Sequence, residues 1–303
     1  MISKQNPAVR ALETLIGRLH ERGRLRVWSL VITVFGDAVV PRGGRVPLAV
    51  LQEIIERLRV EPGALRTAMS RLAADRWVER EKQGRNSYFS LNANGRHAFD
   101  LATRRIYAAG PPQWDGTWTV AIAPPGVADD LWQDLTSLGF VRINGGVYLR
   151  PEAADAPEAG KELAGLLVVH GESAEHPEAL RLLWPSGEVE EAYRGFIDNH
   201  RPLLKALDEG EELGGIDAMA ARTLVIHDWR RVVLRDPGLP AALLPENWPG
   251  EEARALAREI SRHLSAQSEA WLDAAGLPPQ IRPEQAAARW TRQPSQVDAQ
   301  SSR

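Results

Sequence analysis

Leu51, Ile54, Ile55 and Leu58 recur at the i, i+3, i+4 and i+7 spacing of an amphipathic helix, with Pro47 at its start. A second helix opens at "EPGAL", where Pro62 suits a first turn because its missing N–H would be unpaired there. Leu65, Ala68, Met69 and Leu72 form its apolar stripe. The pattern then changes to alternation through Trp77, Val78 and "EREKQGRNSYFSL", which predicts a hairpin turning at Gln83 to Asn86. Upstream, "WSLVITVFGDAV" is a buried helix or strand by run length, "PRGG" at 41–44 is a turn, and residues 1–24 are a short helix or a mobile arm. The first unit reads helix, helix, helix, hairpin.

"GPPQWDG" at 110–116 predicts a linker. Beyond it, "WTVAIAP" is strand-like, and Leu131, Trp132, Leu135 and Leu138 suit a short helix. "FVRINGGVYLRP" predicts a hairpin around Asn144-Gly145-Gly146, "GLLVVHG" a strand, and "HPEALRLLW" a helix. This order approaches the strand, helix, strand, strand, helix, strand pattern of ferredoxin-like domains, with its last strand not evident. From Gly187 the pattern is helical. Glu188 to Leu207 and Glu251 to Leu272 are helices, the second with an inner stripe of Leu256, Ile260, Leu264 and Trp271. Between them a helix and a Pro-rich turn fill "LVIHDWRRVVLRDPGLPAALLPENWPG", and a polar, disordered tail is expected after Ala288.

Composition narrows the class. The chain has 303 residues, 44% hydrophobic and 25% charged, as ordinary soluble globular proteins do. Its apolar runs are too short to span a bilayer, and no secretory signal pattern opens it. With no cysteine, disulfides and thiolate chemistry are excluded, in keeping with a cytoplasmic setting. The net charge of −3 hides an asymmetry: residues 1–110 hold 19 Lys and Arg against 10 Asp and Glu, and the remainder 18 against 30. A basic third on an acidic body suits a polyanion partner, although such unevenness also arises in multidomain chains without one.

The second helix adds to that. At about 100° per residue, Thr67, Ser70 and Ala74 point away from the apolar stripe, flanked by Arg66 and Arg71. Hydroxyls and forked guanidiniums at such positions suit a major groove. Two helices with a tight connection form a helix-turn-helix, and Arg80, Lys82, Arg85 and Asn86 on the following hairpin make the unit a winged helix. The alternative is an α+β domain with a merely solvated cationic face.

Three stretches carry a resemblance. "SLVITVFGDAVVPRGGRVPL" followed by "LRTAMSRLAADRWVEREKQGRNSYFSLN" resembles the amino-terminal domain of the PaaX family, repressors of phenylacetate catabolism. "GFVRINGGVYLRP" and "HDWRRVVLRDPGLPAALLPENWPG" resemble its middle region and its carboxyl-terminal signature. The resemblance implies a homodimeric repressor that binds operator DNA through a winged helix and releases it on binding an aryl-CoA thioester, typically phenylacetyl-CoA. It implies an α+β, multidomain chain. The units are an arm at 1–24, a winged helix-turn-helix at 25–110, a ferredoxin-like, Cas2-like middle domain at 115–186, a helical effector and dimerisation domain at 187–288, and a tail at 289–303. Arg66, Thr67, Ser70 and Arg71 fall on the recognition helix and Arg80 to Asn86 on the wing. Asn86 departs from the family pattern, which favours a second basic residue there.

An aryl-CoA needs an apolar pocket for its ring and cations for its phosphates. Trp229, Trp248 and Trp271 are candidate walls, and Arg230, Arg231 and Arg235 are the nearest cationic cluster. No cofactor or metal is expected. The seven histidines lack H-E-x-x-H spacing, His170 and His176 sit in an acidic loop, and His227 and Asp228 are adjacent on a helix and so point apart. No G-x-S-x-G elbow or Gly-rich phosphate loop precedes a helix. Two further classes remain open: an enzyme of acyl-CoA metabolism with a basic accessory domain, and an architectural DNA-binding protein without an effector.

Overall fold

Asn6 accepts from the amides of Ala8 and Val9 at 2.7 and 3.1 Å, capping helix α1 (Pro7–Glu21). The helix buries Ala8, Leu12, Leu15, Ile16 and Leu19 on one stripe, so this segment is a packed helix and not an arm. The computed structural model describes residues 6–21, 23, 25–124, 135, 138–153, 160–173, 178–184, 187–282 and 289–291. The ambiguous run from Trp28 is helical: α2 (Val27–Val34) passes into a π-helical turn over Phe35–Val39 and a 3-10 turn over Val40–Arg42.

Strand β1 (Arg45–Pro47) leads into α3 (Leu48–Arg57) and α4 (Pro62–Ala74), followed by β2 (Val78–Gln83), β3 (Asn86–Leu91) and α5 (Ala93–Ile106). The sheet order is β1-β3-β2, antiparallel throughout. Gln83 pairs with Asn86, so the hairpin turn is Gly84-Arg85 alone. Gly84 has φ +59° at the first central position, where a two-residue turn of this length needs glycine.

A second antiparallel sheet holds β4 (Trp114–Ile122), β5 (Val141–Asn144), β6 (Val147–Ala153) and β7 (Leu167–Glu172) in the order β5-β6-β4-β7. β4 starts at Trp114, inside the segment expected to be linker. "GLLVVHG" supplies the fourth strand. Of the helix expected through Leu131, Trp132, Leu135 and Leu138, the first two fall outside the described residues, Leu135 is helical and buried, and Leu138 lies in a turn. Where a helix was expected near residue 180, Glu178–Leu183 form a 3-10 turn.

The chain finishes in α6 (Gly187–Asp208), α7 (Gly215–Val233) and α8 (Gly250–Ala274). Leu256, Ile260 and Leu264 are buried as their stripe predicts, while Trp271 is half-buried. One apolar cluster runs from Leu12, Ile16, Leu51 and Ile54 into Leu203, Met219, Ile226 and Ile260. The amino-terminal helices and the last three therefore share a core, and two smaller clusters lie against the second sheet. Contrary to the expected tail, Arg289–Thr291 form a 3-10 turn whose Trp290 is buried against Tyr107 and Trp229 at ring separations of 5.1 and 6.4 Å. A large aromatic ring gains from burial against two others, which sequence polarity alone does not reveal. The mixed architecture is α+β. No described helix is long and apolar enough to cross a membrane.

Candidate nucleic-acid interface

Helix α4 buries Leu65, Ala68, Met69 and Leu72 and exposes Arg66, Thr67, Ser70 and Arg71, as the helical period requires. The Thr67 hydroxyl donates to the Gly63 carbonyl at 3.0 Å, leaving its oxygen free to accept. The α3–α4 connection is tight because Arg59 takes a left-handed conformation, φ +58°. Arg71 has a loose pair with Asp75 at 3.5 Å, and its guanidinium sits 5.7 Å from the centroid of the Trp28 ring.

The β2–β3 hairpin follows this helix in the chain. Arg80 donates from Nη2 and Nε to Ser87 Oγ at 2.8 and 3.2 Å, which holds the guanidinium along the hairpin. Glu81, the acid nearest the tip, is paired with Arg45 at 3.1 Å, and Arg45 in turn lies 3.8 Å above the Tyr88 ring. That pairing offsets the wing's negative charge. Lys82, Arg85 and Asn86 are exposed and make no ion pair among the described residues.

Two residues join the surface that periodicity did not single out. Arg26 and Trp28, at the start of α2, form one wall of a groove of about 860 Å3 whose other wall is Ala64, Thr67, Ala68 and Arg71. Trp28 looked like the first residue of a buried run. The one available signal was the cation two positions ahead of it, Arg26.

The expected effector residues divide. Arg230, Arg231 and Arg235 line one cleft of about 410 Å3. Trp229 is fully buried, donates from Nε1 to the Ile106 carbonyl at 2.7 Å, and packs on Tyr193 and Phe196. Trp248 lies edge-on to Tyr193 at 5.5 Å, and Trp271 covers Gly215. The structure thus gathers the three cations in one cleft, sets Trp229 and Trp248 against Tyr193 in the core away from that cleft's lining, and places Trp271 over Gly215.

The buried polar chemistry lies elsewhere. Asp37 accepts from Arg222 Nε and from the Tyr107 hydroxyl, each at 2.5 Å, with Arg289 at 3.5 Å. Burial alone would raise the Asp37 carboxyl, but the Arg222 and Arg289 guanidiniums hold it below the usual carboxylate range. Burial, and after it the Asp37 carboxylate, pushes the Tyr107 phenol upward. Glu269 joins Arg222 and Arg42, each at 2.6 Å. His227 bonds to Thr33 at 3.1 Å while Asp228 faces His200 at 3.6 Å, so the adjacent pair points apart as expected. Asp208, Glu259 and His263 are near enough to share a metal ion, but Arg262 already donates to Glu259 at 2.6 Å and His263 lies 2.9 Å from Asp208. Ion pairing explains that cluster. His170 bonds to Thr119 at 2.8 Å, and His176 lies outside the described residues.

Together these features define an α+β protein that presents a cationic helix and hairpin from its amino-terminal third. The model for PaaX-like proteins matches residues 26–95, and that for the PaaX-like protein carboxyl-terminal domain matches residues 184–274. The chain is 31% identical over 263 residues to the transcriptional repressor PaaX of Escherichia coli (strain K12), covering 82% of this chain and 83% of that one. It belongs to the PaaX-like protein family. Its relatives there are transcriptional repressors and not enzymes. Among solved structures it is similar to the uncharacterized protein Rv0674 from Mycobacterium tuberculosis. That match has a TM-score of 0.49 and 17% identity, and covers 87% of this chain and 98% of that one.

Proposed function

We propose that this chain is a homodimeric transcriptional repressor of phenylacetate-type catabolic genes. In this reading its helix-turn-helix and wing hold operator DNA, and an aryl-CoA thioester such as phenylacetyl-CoA releases it. The observation that carries the reading is the exposure of Arg66, Thr67, Ser70 and Arg71 on α4 together with that of Arg80, Lys82, Arg85 and Asn86 on the hairpin that follows it. The β1-β3-β2 sheet, with β1 before α3 and the β2–β3 hairpin after α4, supports a winged helix over 25–110. The β5-β6-β4-β7 order, antiparallel throughout, supports a ferredoxin-like unit over 115–186. Helices over 187–288 form the effector and dimerisation unit. Such a repressor works in the cytoplasm, at the nucleoid.

In this arrangement cations on the wing neutralise phosphates, and α4 reads base edges. The effector must bind the DNA-incompetent arrangement more tightly than the competent one, or it shifts nothing. Binding of the full chain to a duplex from its own upstream region, against a scrambled duplex at several salt concentrations, tests the reading. Preference for the upstream duplex with steep salt dependence is expected; equal binding to both would overturn it.

A further inference from the structure

The 410 Å3 cleft between the start of α2 and the end of α7 is unlike the rest of the surface. Arg26, Arg230, Arg231 and Arg235 line it, and no acidic side chain is among its described lining residues. Three arginines that lie between elements elsewhere meet carboxylates: Arg42 meets Glu269 and Asp273, Arg57 meets Glu13 and Asp217, and Arg222 meets Asp37 and Glu269. The four in the cleft make no ion pair among the described residues.

Arg230 is the most constrained of them. Its Nη1 donates to the Ser29 carbonyl at 2.9 Å and lies 3.1 Å from Thr33 Oγ1, so backbone and hydroxyl groups fix it without neutralising it. Burial, and then the neighbouring Arg231, pushes its guanidinium below the usual range. Arginine nevertheless keeps its charge at neutral pH. Four cations around one hollow repel one another, and an anion placed among them relieves that repulsion. Forked guanidiniums are the side chains best matched to phosphate.

The remaining walls narrow the ligand. Leu19, Leu25 and Leu234 are apolar, and Trp28 offers a flat ring. A hollow of this volume suits a small molecule. Its apolar lining suits a planar base better than the backbone of a duplex, which needs only an open cationic face. Arg26 and Trp28 also wall the groove along α4, and Trp28 carries Arg71. A ligand here therefore touches residues that support the exposed face of α4.

We propose that this cleft binds the phosphate-bearing end of a nucleotide-type small molecule, and that its occupation reaches α4 through Arg26 and Trp28. Coenzyme A thioesters belong to this chemical class. The coupling to α4 rests on the repressor reading; the binding does not.

Calorimetric titration of the full chain without DNA, using adenosine 3′,5′-bisphosphate as probe, tests the binding. Arg231 and Arg235 are exposed, so the Arg231→Gln/Arg235→Gln double variant should keep the wild-type melting temperature. Saturable one-site binding to wild type is expected, weakened about tenfold or more in the variant by the lost charge-assisted hydrogen bonds. No binding to wild type at millimolar probe, or equal affinity in the two proteins, would overturn the proposal. So would a variant that keeps its bisphosphate affinity but binds DNA with a shallower salt slope, since the cleft would then hold backbone phosphate. Bisphosphate binding at the cleft by a chain with no preference for its upstream DNA would uphold the cleft and remove the repressor reading instead.

Discussion

Asp37 accepts a 2.5 Å hydrogen bond from Nε of Arg222, 185 positions further along the chain. The pair joins the π-helical turn after α2 to α7, and Glu269 on α8 completes it through Arg222 Nη1 at 2.6 Å. The helices that lead into β1 are thereby tied to the last three by charge as well as by the shared apolar core.

Replacing Asp37 by Asn leaves the guanidiniums of Arg222 and Arg289 in place without their buried partner. Removing one member of a buried ion pair costs about 3–5 kcal/mol. Because Glu269 still partners Arg222, the lower end of that range is expected, a fall of roughly 6–12 °C in Tm. Because the folded-state pKa of Asp37 is depressed, its contribution is present above the unfolded-state value and fades as pH falls through the folded one. The deficit of Asp37→Asn relative to wild type should hold steady from pH 8 to about pH 5 and shrink below about pH 4. A deficit that grows on acidification would contradict this.

Arg85 stands alone at the hairpin tip beside Gly84. Arg85→Ala should leave Tm unchanged and weaken binding to upstream and scrambled DNA alike. The salt slope should fall by about 1, the loss of one phosphate contact. An unchanged slope would remove Arg85 from the backbone contacts.

Arg66 differs in kind, being on the exposed face of α4. Arg66→Ala should reduce preference for the upstream duplex by about 1–3 kcal/mol with little effect on the scrambled one. Equal losses on both duplexes would reassign it to phosphate.

Gly95 is fixed by sterics. A Cβ there would lie 2.5 Å from the Trp77 carbonyl oxygen, and its amide donates to Asn92 Oδ1 at 2.9 Å to cap α5. Gly95→Ala must push α5 off the base of the hairpin, at about 1–3 kcal/mol. A melting temperature equal to wild type would show that the contact relaxes freely.

Much of the α4 surface was legible because one helix carried both its exposed cations and its core. Leu65, Ala68, Met69 and Leu72 set the buried side, and the exposed residues followed by geometry. The hairpin was legible from alternation ending at Gly84. β1 is three residues long, too short for any period to show. The start of α5, "NANG", has the composition of a turn, so its Asn cap was hidden. Asp37 lies within an apolar run and Trp290 within a polar one, and each owes its place to partners far along the chain. The tryptophans could not be sorted by sequence, because a ring that fills a core and one that walls a pocket share the same spacing on a helix. Arg26 and Arg230 meet across about two hundred residues, which no local pattern can show.

The central claim is that an aryl-CoA thioester loosens the hold of this chain on its operator. The direct measurement is fluorescence anisotropy of a labelled upstream duplex bound by the full chain, titrated with phenylacetyl-CoA and, separately, with free phenylacetate. Saturable release by the thioester and none by the free acid is the expected result. Specific binding that persists at saturating phenylacetyl-CoA, or release only through hydrolysis of the thioester, would contradict it.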